Sequence, residues 1–304
     1  MARAQRSPRT RTFDSAALTA FAPVIALVPA WALAIAVFWW ITLPLHGSSY
    51  GFFALIAFLS GVVLFLKPTQ KLILRRLLGA RTPTRSERDQ IQRAWLVVAQ
   101  ASRIPANTFV LAVADADDVN AFACGGHLMV VSSFALEQLT HDELVGVLAH
   151  ELSHHLGSHT VALTFGQWLS IPIIILAQVG FALQNVARAA SETIERRSTS
   201  LSLIGKTIAI VLNGVSWIFR ADLLLAQGIS NIVGKGAEFK ADANAVDLGF
   251  GKELSSALRQ VIARGHGERP SNWRDRIVTA HPPARTRVAR IDARLRQQAQ
   301  RRSR

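Results

Sequence analysis

The 304-residue sequence predicts an α-helical integral membrane protein with about four transmembrane helices and an α+β domain outside the bilayer. Three observations predict it. From Thr19 to Leu66 there is no Asp, Glu, Lys or Arg, a run of 48 residues, and Val161 to Ala187 is uncharged for another 27. Between and after these runs, polar sequence holds short β-prone stretches and a capped amphipathic helix. A 50% hydrophobic content and a mean hydropathy of +0.26 exclude intrinsic disorder. The single cysteine, Cys124, excludes both a disulfide scaffold and a cysteine-based zinc ribbon.

Residues 1–18 form a basic N-terminus with Arg3, Arg6, Arg9 and Arg11. A helix needs roughly 20 apolar residues to cross the ~30 Å hydrocarbon layer. Residues 19–66 therefore predict a transmembrane hairpin, Thr19 to Leu43 and Tyr50 to Leu66, joined through Pro44 to Ser49. Its first apolar segment far exceeds the ~7–15 residues of a signal-peptide core, and a second follows at once, so a cleaved leader is the weaker reading. Lys67, Lys71, Arg75, Arg76 and Arg81 come next, and the positive-inside rule puts both ends of the hairpin in the cytoplasm. The formal net charge of +14, from 34 Lys plus Arg against 20 Asp plus Glu, is thus partly topological. It predicts contact with a lipid bilayer and not with nucleic acid.

Residues 67–160 predict a first cytoplasmic part. Thr108 to Val113 and His127 to Ser132 read as strands, a hairpin-like pair at a sheet edge. Asp115, Asp117, Asp118, Asn120, Gly125 and Gly126 lie in the connection, which reads as a loop. Thr140-His141-Asp142-Glu143 has the form of a capping box, followed by a helical apolar stripe at Leu144, Val145, Val147, Leu148 and Leu152. Residues 161–219 supply a third span, Val161 to Ala187, and a fourth, Leu201 to Phe219, which includes Lys206 and Asn213; a short external connection joins them. An even number of spans returns 220–288 to the cytoplasm. From Arg285 to Arg304 there are eight arginines and one acid, Asp292, so 289–304 reads as a solvated helical tail near anionic headgroups.

His150-Glu151-Leu152-Ser153-His154 is an H-E-x-x-H sequence inside the capped helix. Residues i and i+4 leave a helix on one face, so both imidazoles can address one ion while Glu151 stands beside it. Zn²⁺ suits such donors, and a zinc with three protein ligands keeps a fourth position for water. With nine His and, by count, nine Glu in the chain, a chance H-E-x-x-H is rarer than about one in a hundred. A third ligand is then required. Glu238-Phe239-Lys240-Ala241-Asp242 offers a helical E-x-x-A-D in which Glu238 can bind metal, while Asp242, one turn on, can accept the remaining N–H of a ligating imidazole. Taken alone, that segment reads as a solvated helical face.

The combination is more telling than its parts. A membrane hairpin, N-A-F-A-x-G at Asn120 to Gly125, H-E-L-S-H, two further apolar spans, E-F-K-A-D, and H-P-P with an arginine six residues past the His, at His281 to Arg287, resembles the HtpX-like membrane metallopeptidases, relatives of the CAAX prenyl proteases. The resemblance runs from the first span to about Val288. It implies a cytoplasmic α+β gluzincin-type metalloprotease domain, one Zn²⁺ per chain held by His150, His154 and Glu238, and Glu151 as general base. It further implies that Asn120 and the strand His127, Leu128, Met129, Val130, Val131 and Ser132 line the substrate cleft, and that His281 and Arg287 stabilise the oxyanion. The expected setting is the inner (plasma) membrane of a bacterium, multi-pass. There a zinc-dependent endopeptidase would cleave membrane or misfolded proteins at the cytoplasmic face, in protein quality control, with an extended substrate pairing to an edge strand near His127 to Ser132. Ser153 departs from the glycine common at that place, a small-for-small exchange.

Two other readings compete: a signalling metallopeptidase of the sensor-transducer type, and a non-enzymatic basic membrane adaptor. No extracytoplasmic sensor domain is evident, and E-x-x-A-D fits the first less well. His155 stands one position off the ligand face and reads as a hydrogen-bonded histidine, Cys124 as a small buried residue. His159 lies close by, while His46 and His266 have no supporting neighbours.

Overall fold

The computed structural model describes residues 20–117, 119–157, 159–194, 199–264 and 282–303. In chain order come α1 (Ala22–His46) and α2 (Tyr50–Ser60), the latter continued by a 3-10 turn at Gly61–Phe65. A helical segment follows, with a π turn at Gln70–Leu74 between short α turns at Lys67–Thr69 and Arg75–Leu77. Then come β1 (Ala80–Arg81), α3 (Arg85–Ser102), β2 (Val110–Ala114), β3 (Ala121–Cys124), β4 (Leu128–Ser132) and α4 (Ser133–Gln138). The rest is helical: α5 (His141–Leu156), α6 (His159–Ile194), α7 (Thr199–Leu248), α8 (Gly251–Ala263) and α9 (Ala284–Arg302). The chain divides into two compact units, one of Phe21–Val62 with Phe165–Ser230, the other built on Val63–Thr164 with Asn231–Arg304.

The first unit is mostly apolar helix. Among the described residues, three helical stretches that lie wholly or partly in it are long and apolar enough to cross a membrane: Ala22–His46, Thr160–Val186 and Leu203–Leu248. The predicted second span is helical but short. At about 1.5 Å per residue, Tyr50–Phe65 reaches about 24 Å, less than the ~30 Å hydrocarbon layer. α1 and α2 pack through Trp31 and Phe58, whose rings meet edge to face at 5.9 Å, and the Tyr50 hydroxyl donates to the Ala32 carbonyl at 2.9 Å.

The second unit holds a four-stranded sheet in the order β1-β2-β4-β3. Here the structure departs from the sequence reading. The two predicted strands are parallel neighbours, Val110 opposite Leu128 through Ala114 opposite Ser132, and do not form a hairpin. The hairpin partner of β4 is β3, which lies inside the stretch read as a loop. Its turn carries consecutive glycines at positive φ, Gly125 at 64° and Gly126 at 87°, a backbone that any side chain would strain. β4 is therefore paired on both sides, and β3, like β1 at the other end, is an edge strand among the described residues. The run Leu-Met-Val-Val-Ser does not alternate because both faces are covered. Met129 and Val131 join Val113 and Ala121 in the core beneath α3 and α5, while Leu128 and Val130 join Ala80, Ala112 and Cys124 on the other face.

The capping box forms as the sequence predicts: Thr140 Oγ1 accepts from the Glu143 amide at 3.3 Å, and Glu143 Oε2 accepts from the Thr140 amide at 2.9 Å. Glu143 also accepts from the Ser256 hydroxyl at 2.6 Å, which ties the start of α5 to α8. Burial pushes this carboxyl up, but the bonds from Ser256 and Thr140 prevail and lower it. The predicted tail boundary at 288 and 289 falls inside α9. Val288, Ile291 and Leu295, spaced three and four apart among the arginines, seat that helix in the core with α8.

α5 and α8 meet backbone to backbone at Gly146. A Cβ there would lie 2.7 Å from the Glu253 carbonyl carbon and 2.8 Å from Leu254 Cα, with the Leu254 nitrogen closer still. Gly146→Ala is therefore expected to destabilise the protein by about 1–3 kcal/mol, the usual range for overpacking. Thermal unfolding in detergent, followed by tryptophan fluorescence, checks this against Gly236→Ala, an exposed helical position where nothing lies within 4 Å of the added methyl. A midpoint for Gly146→Ala no lower than that of the control would refute the close approach.

Candidate metal centre

His150 and His154 lie on the C-terminal half of α5, and Glu238 lies on α7 ten residues before its end. The spacing of four on α5 brings the two imidazoles together, Nε2 to Nε2 at 3.2 Å. Glu238 closes the triangle, with Oε2 3.3 Å from His150 Nε2 and Oε1 2.9 Å from His154 Nε2. All three side chains are buried, and their donor atoms lie within 4.8 Å of one another. Tetrahedral zinc with bonds of about 2.0–2.1 Å sets its donor atoms about 3.3 Å apart, so this set fits a zinc ion without rearrangement. The donor chemistry fits as well, two imidazoles and one carboxylate.

Behind the ligands stands Asp242, one helical turn past Glu238 on α7. Its Oδ1 lies 2.9 Å from His150 Nδ1. Arg287, from the first turn of α9, grips the same carboxylate with two bonds, Nε to Oδ2 at 3.0 Å and Nη2 to Oδ1 at 2.7 Å. Its Nη1 lies 3.3 Å from Glu238 Oε2. Nη2 is 3.2 Å from both ring nitrogens of His150, which places it alongside the imidazole and not on either lone pair. The Nδ1 proton of His150 accordingly goes to Asp242, and Nε2 faces Glu238 and His154.

The electrostatics agree. Burial and the Arg287 guanidinium push the His150 imidazole down, but Glu238 and the bond to Asp242 outweigh them and raise it to about 9. Burial pushes Asp242 up, yet Arg287 and His150 hold it at about 2. Burial lowers Arg287, and Glu238 and Asp242 more than reverse this. The cluster thus favours positive charge at the place where two imidazoles and a carboxylate converge. Glu151, next to His150, is 4% exposed, and its carboxylate adds to the field that keeps Arg287 charged.

The predicted cleft residues fall elsewhere. Leu128, Met129, Val130 and Val131 are core side chains at 0–1% exposure, because β4 is interior, so they cannot line a cleft, and the backbone of β4 is not open to an incoming peptide. Ser132 is buried too, where its hydroxyl caps α4 by accepting from the Ala135 amide at 3.1 Å. His127 lends its carbonyl to the Val110 amide at 2.7 Å. Asn120 is half-buried, its backbone joined to Ser132 just ahead of β3. Arg287 contacts carboxylates and His150, and His281 lies outside the described residues. Sequence reading passed over β3 itself, although Ala-Phe-Ala-Cys before Gly-Gly is a short strand with a hairpin signal. His155 is buried, with Nε2 3.1 Å from the Leu128 carbonyl and its ring 4.6 Å from that of Phe109. Burial pushes the Cys124 thiol up and keeps it neutral.

Residues 85–295 match the model of peptidase family M48. This chain belongs to peptidase family M48. Among curated proteins, Protease HtpX of Mannheimia succiniciproducens is 30% identical over 50% of this chain and 51% of its own length. Protease HtpX of Shewanella loihica is 28% identical over 73% of this chain and 81% of its own, and Protease HtpX homolog of Neisseria meningitidis 27% over 81% and 87%. The chain thus spans about half the length of the first of these relatives. The crystal structure of S. mikatae Ste24p overlaps 91% of this chain and 66% of that one, at 16% identity and a TM-score of 0.49. The resemblance to HtpX-like metallopeptidases is borne out.

Removing the backing carboxylate tests the geometry. Asp242→Asn is expected to weaken zinc binding by about 10–100-fold while leaving the fold intact, read by competition with a chromophoric chelator. Unchanged affinity would show that the charge of the carboxylate behind His150 is dispensable.

Proposed function

We propose that this chain is a zinc-dependent endopeptidase that cleaves membrane or misfolded proteins at the cytoplasmic face of a bacterial inner membrane, in protein quality control. The observation that carries it is the convergence of His150 Nε2, His154 Nε2 and Glu238 with Asp242 behind His150. Zinc held by His150, His154 and Glu238 would supply Lewis acidity toward a water and a peptide carbonyl. Glu151 would serve as the general base that takes a proton from the attacking water and returns it to the departing amine. No covalent intermediate with the chain is required. Arg287 acts through the carboxylates it holds, fixing Asp242 against His150 and drawing Glu238 toward the imidazoles.

An extended substrate is placed on the open edge of β3, not on β4. Its main chain pairs with that edge, which reads backbone and leaves sequence preference broad. The basic residues that flank the hairpin support the cytoplasmic orientation, and the apolar helices support a membrane-resident substrate pool.

Full-length protein in detergent is expected to carry stoichiometric metal and to digest casein, with a chelator abolishing digestion and zinc restoring it. Glu151→Gln is expected to lower turnover by at least about 10²-fold, within the usual range for a lost general base, with metal still bound. Glu238→Ala is expected to lose the metal, as elemental analysis reads it. Wild-type turnover in Glu151→Gln would discard the base, and full zinc content in Glu238→Ala would remove that carboxylate from the ligand set.

A further inference from the structure

The turn that ends β3 is held by two side chains that the metal centre does not use. Gly125, at its first position, has both backbone polar groups bound outside the sheet. Its amide donates to the Thr164 hydroxyl at 2.9 Å, and its carbonyl accepts from the Gln70 side-chain amide. Gln70 is fully buried in the π turn that follows the second apolar segment, and Thr164 is buried in α6. The same Thr164 oxygen lies 3.4 Å from Cys124 Sγ, the last side chain of β3. Among the described residues, Gln70 Oε1 is buried with no hydrogen-bond partner. A buried amide that leaves its own carbonyl unmet is costly to keep, and its one bond here goes to the turn.

β3 is short and, among the described residues, joined to the sheet on one side only. At its start, Asn120 is pinned to Ser132, with the Asn120 amide donating to Ser132 Oγ and the Ser132 amide donating to the Asn120 carbonyl. At its other end the anchor is Gln70 with Thr164. Between these points the outer edge of β3 pairs with no other strand among the described residues, and its four residues offer about 13 Å for an added chain.

We propose that Gln70 and Thr164 are positioning residues for extended substrates: they fix the Gly125 turn and so hold the open edge of β3 where a bound peptide must pair. The proposal rests on the proteolytic reading above and deepens it by assigning the grip on substrate length. Peptides long enough to run along β3 depend on the anchor. Short peptides, held only around the scissile bond, do not.

The test uses the full-length zinc-loaded protein in detergent and two quenched fluorescent peptides sharing one scissile bond, one long and one reaching only the residues beside that bond. Gln70→Leu and Thr164→Val are expected to lower kcat/KM for the long peptide roughly tenfold, mostly through KM, as misplacement of a binding element does. The short peptide should change by less than about twofold, and zinc content should not change. Thr164→Ser, which keeps the hydroxyl, should behave as wild type. If Gln70→Leu does not fold, the Thr164 pair decides. Equal losses on both peptides, or no loss on either, would overturn the assignment. Wild-type protein that holds zinc and cleaves neither peptide would instead overturn the proteolytic reading.

Discussion

The bond between Asp242 and the Nδ1 proton of His150 is the constraint on which the rest of the site depends. It decides which nitrogen of His150 faces the ligand triangle, and without that decision a 3.2 Å approach of two imidazoles is only a hydrogen bond between neighbours on a helix. Asp242 could not do this while rotating freely. Arg287 holds both of its oxygens, and a two-pronged guanidinium fixes a carboxylate plane where a lysine would fix a point. The charge within the cluster follows the same logic. Glu151, Glu238 and Asp242 are buried together with one arginine, an excess of negative charge that a divalent cation balances.

The sheet explains why α5 holds His150, Glu151 and His154 without shifting. Leu144, Leu148 and Leu152 reach into the core shared with α3, and small residues, Ala121 on β3 and Gly146 on α5, let backbones come close. At the far end, His155 bonds to the Leu128 carbonyl, so the turn after His154 is fastened to the central strand. Side chains separated by one helical turn, such as His150 and His154, then inherit the rigidity of a helix packed on two sides. The edge strand contrasts with this. Among the described residues it has one partner strand, and side chains from outside the sheet hold its turn.

Local periodicity made part of this molecule legible. H-E-x-x-H at helical spacing, the capping box at Thr140 and the uncharged runs each state their geometry within a few residues, and each appears in the structure. E-x-x-A-D was legible by resemblance, because nothing in its own spacing says that it meets a helix more than eighty residues upstream. Strand order was not legible. A parallel pairing of β2 with β4 and a four-residue edge strand between them in sequence depend on long-range contacts, which leave little trace in composition. The anchor at Gly125 was invisible for the same reason, since Gln70 lies 55 residues away from its acceptor.

The arginines of α9 show how far a charge run can mislead. Composition gives them to solvent or to lipid headgroups. Their spacing tells otherwise, because 287, 290 and 294 fall on one helical face and each meets α7. Arg287 binds Asp242, Arg290 lies 3.7 Å over the Phe239 ring, and Arg294 pairs with Asp247 at 2.9 Å. The three contacts differ in weight. Arg294 and Asp247 are open to water and contribute little to stability, whereas Arg287 is buried and its partner has no alternative solvation. Together they set the register of α9 along α7. A slip of one residue would carry Arg287 off Asp242, free the carboxylate to turn, and leave His150 without the bond that aims it. The outermost support of the metal centre is therefore a helix whose composition, taken alone, marks it as a tail.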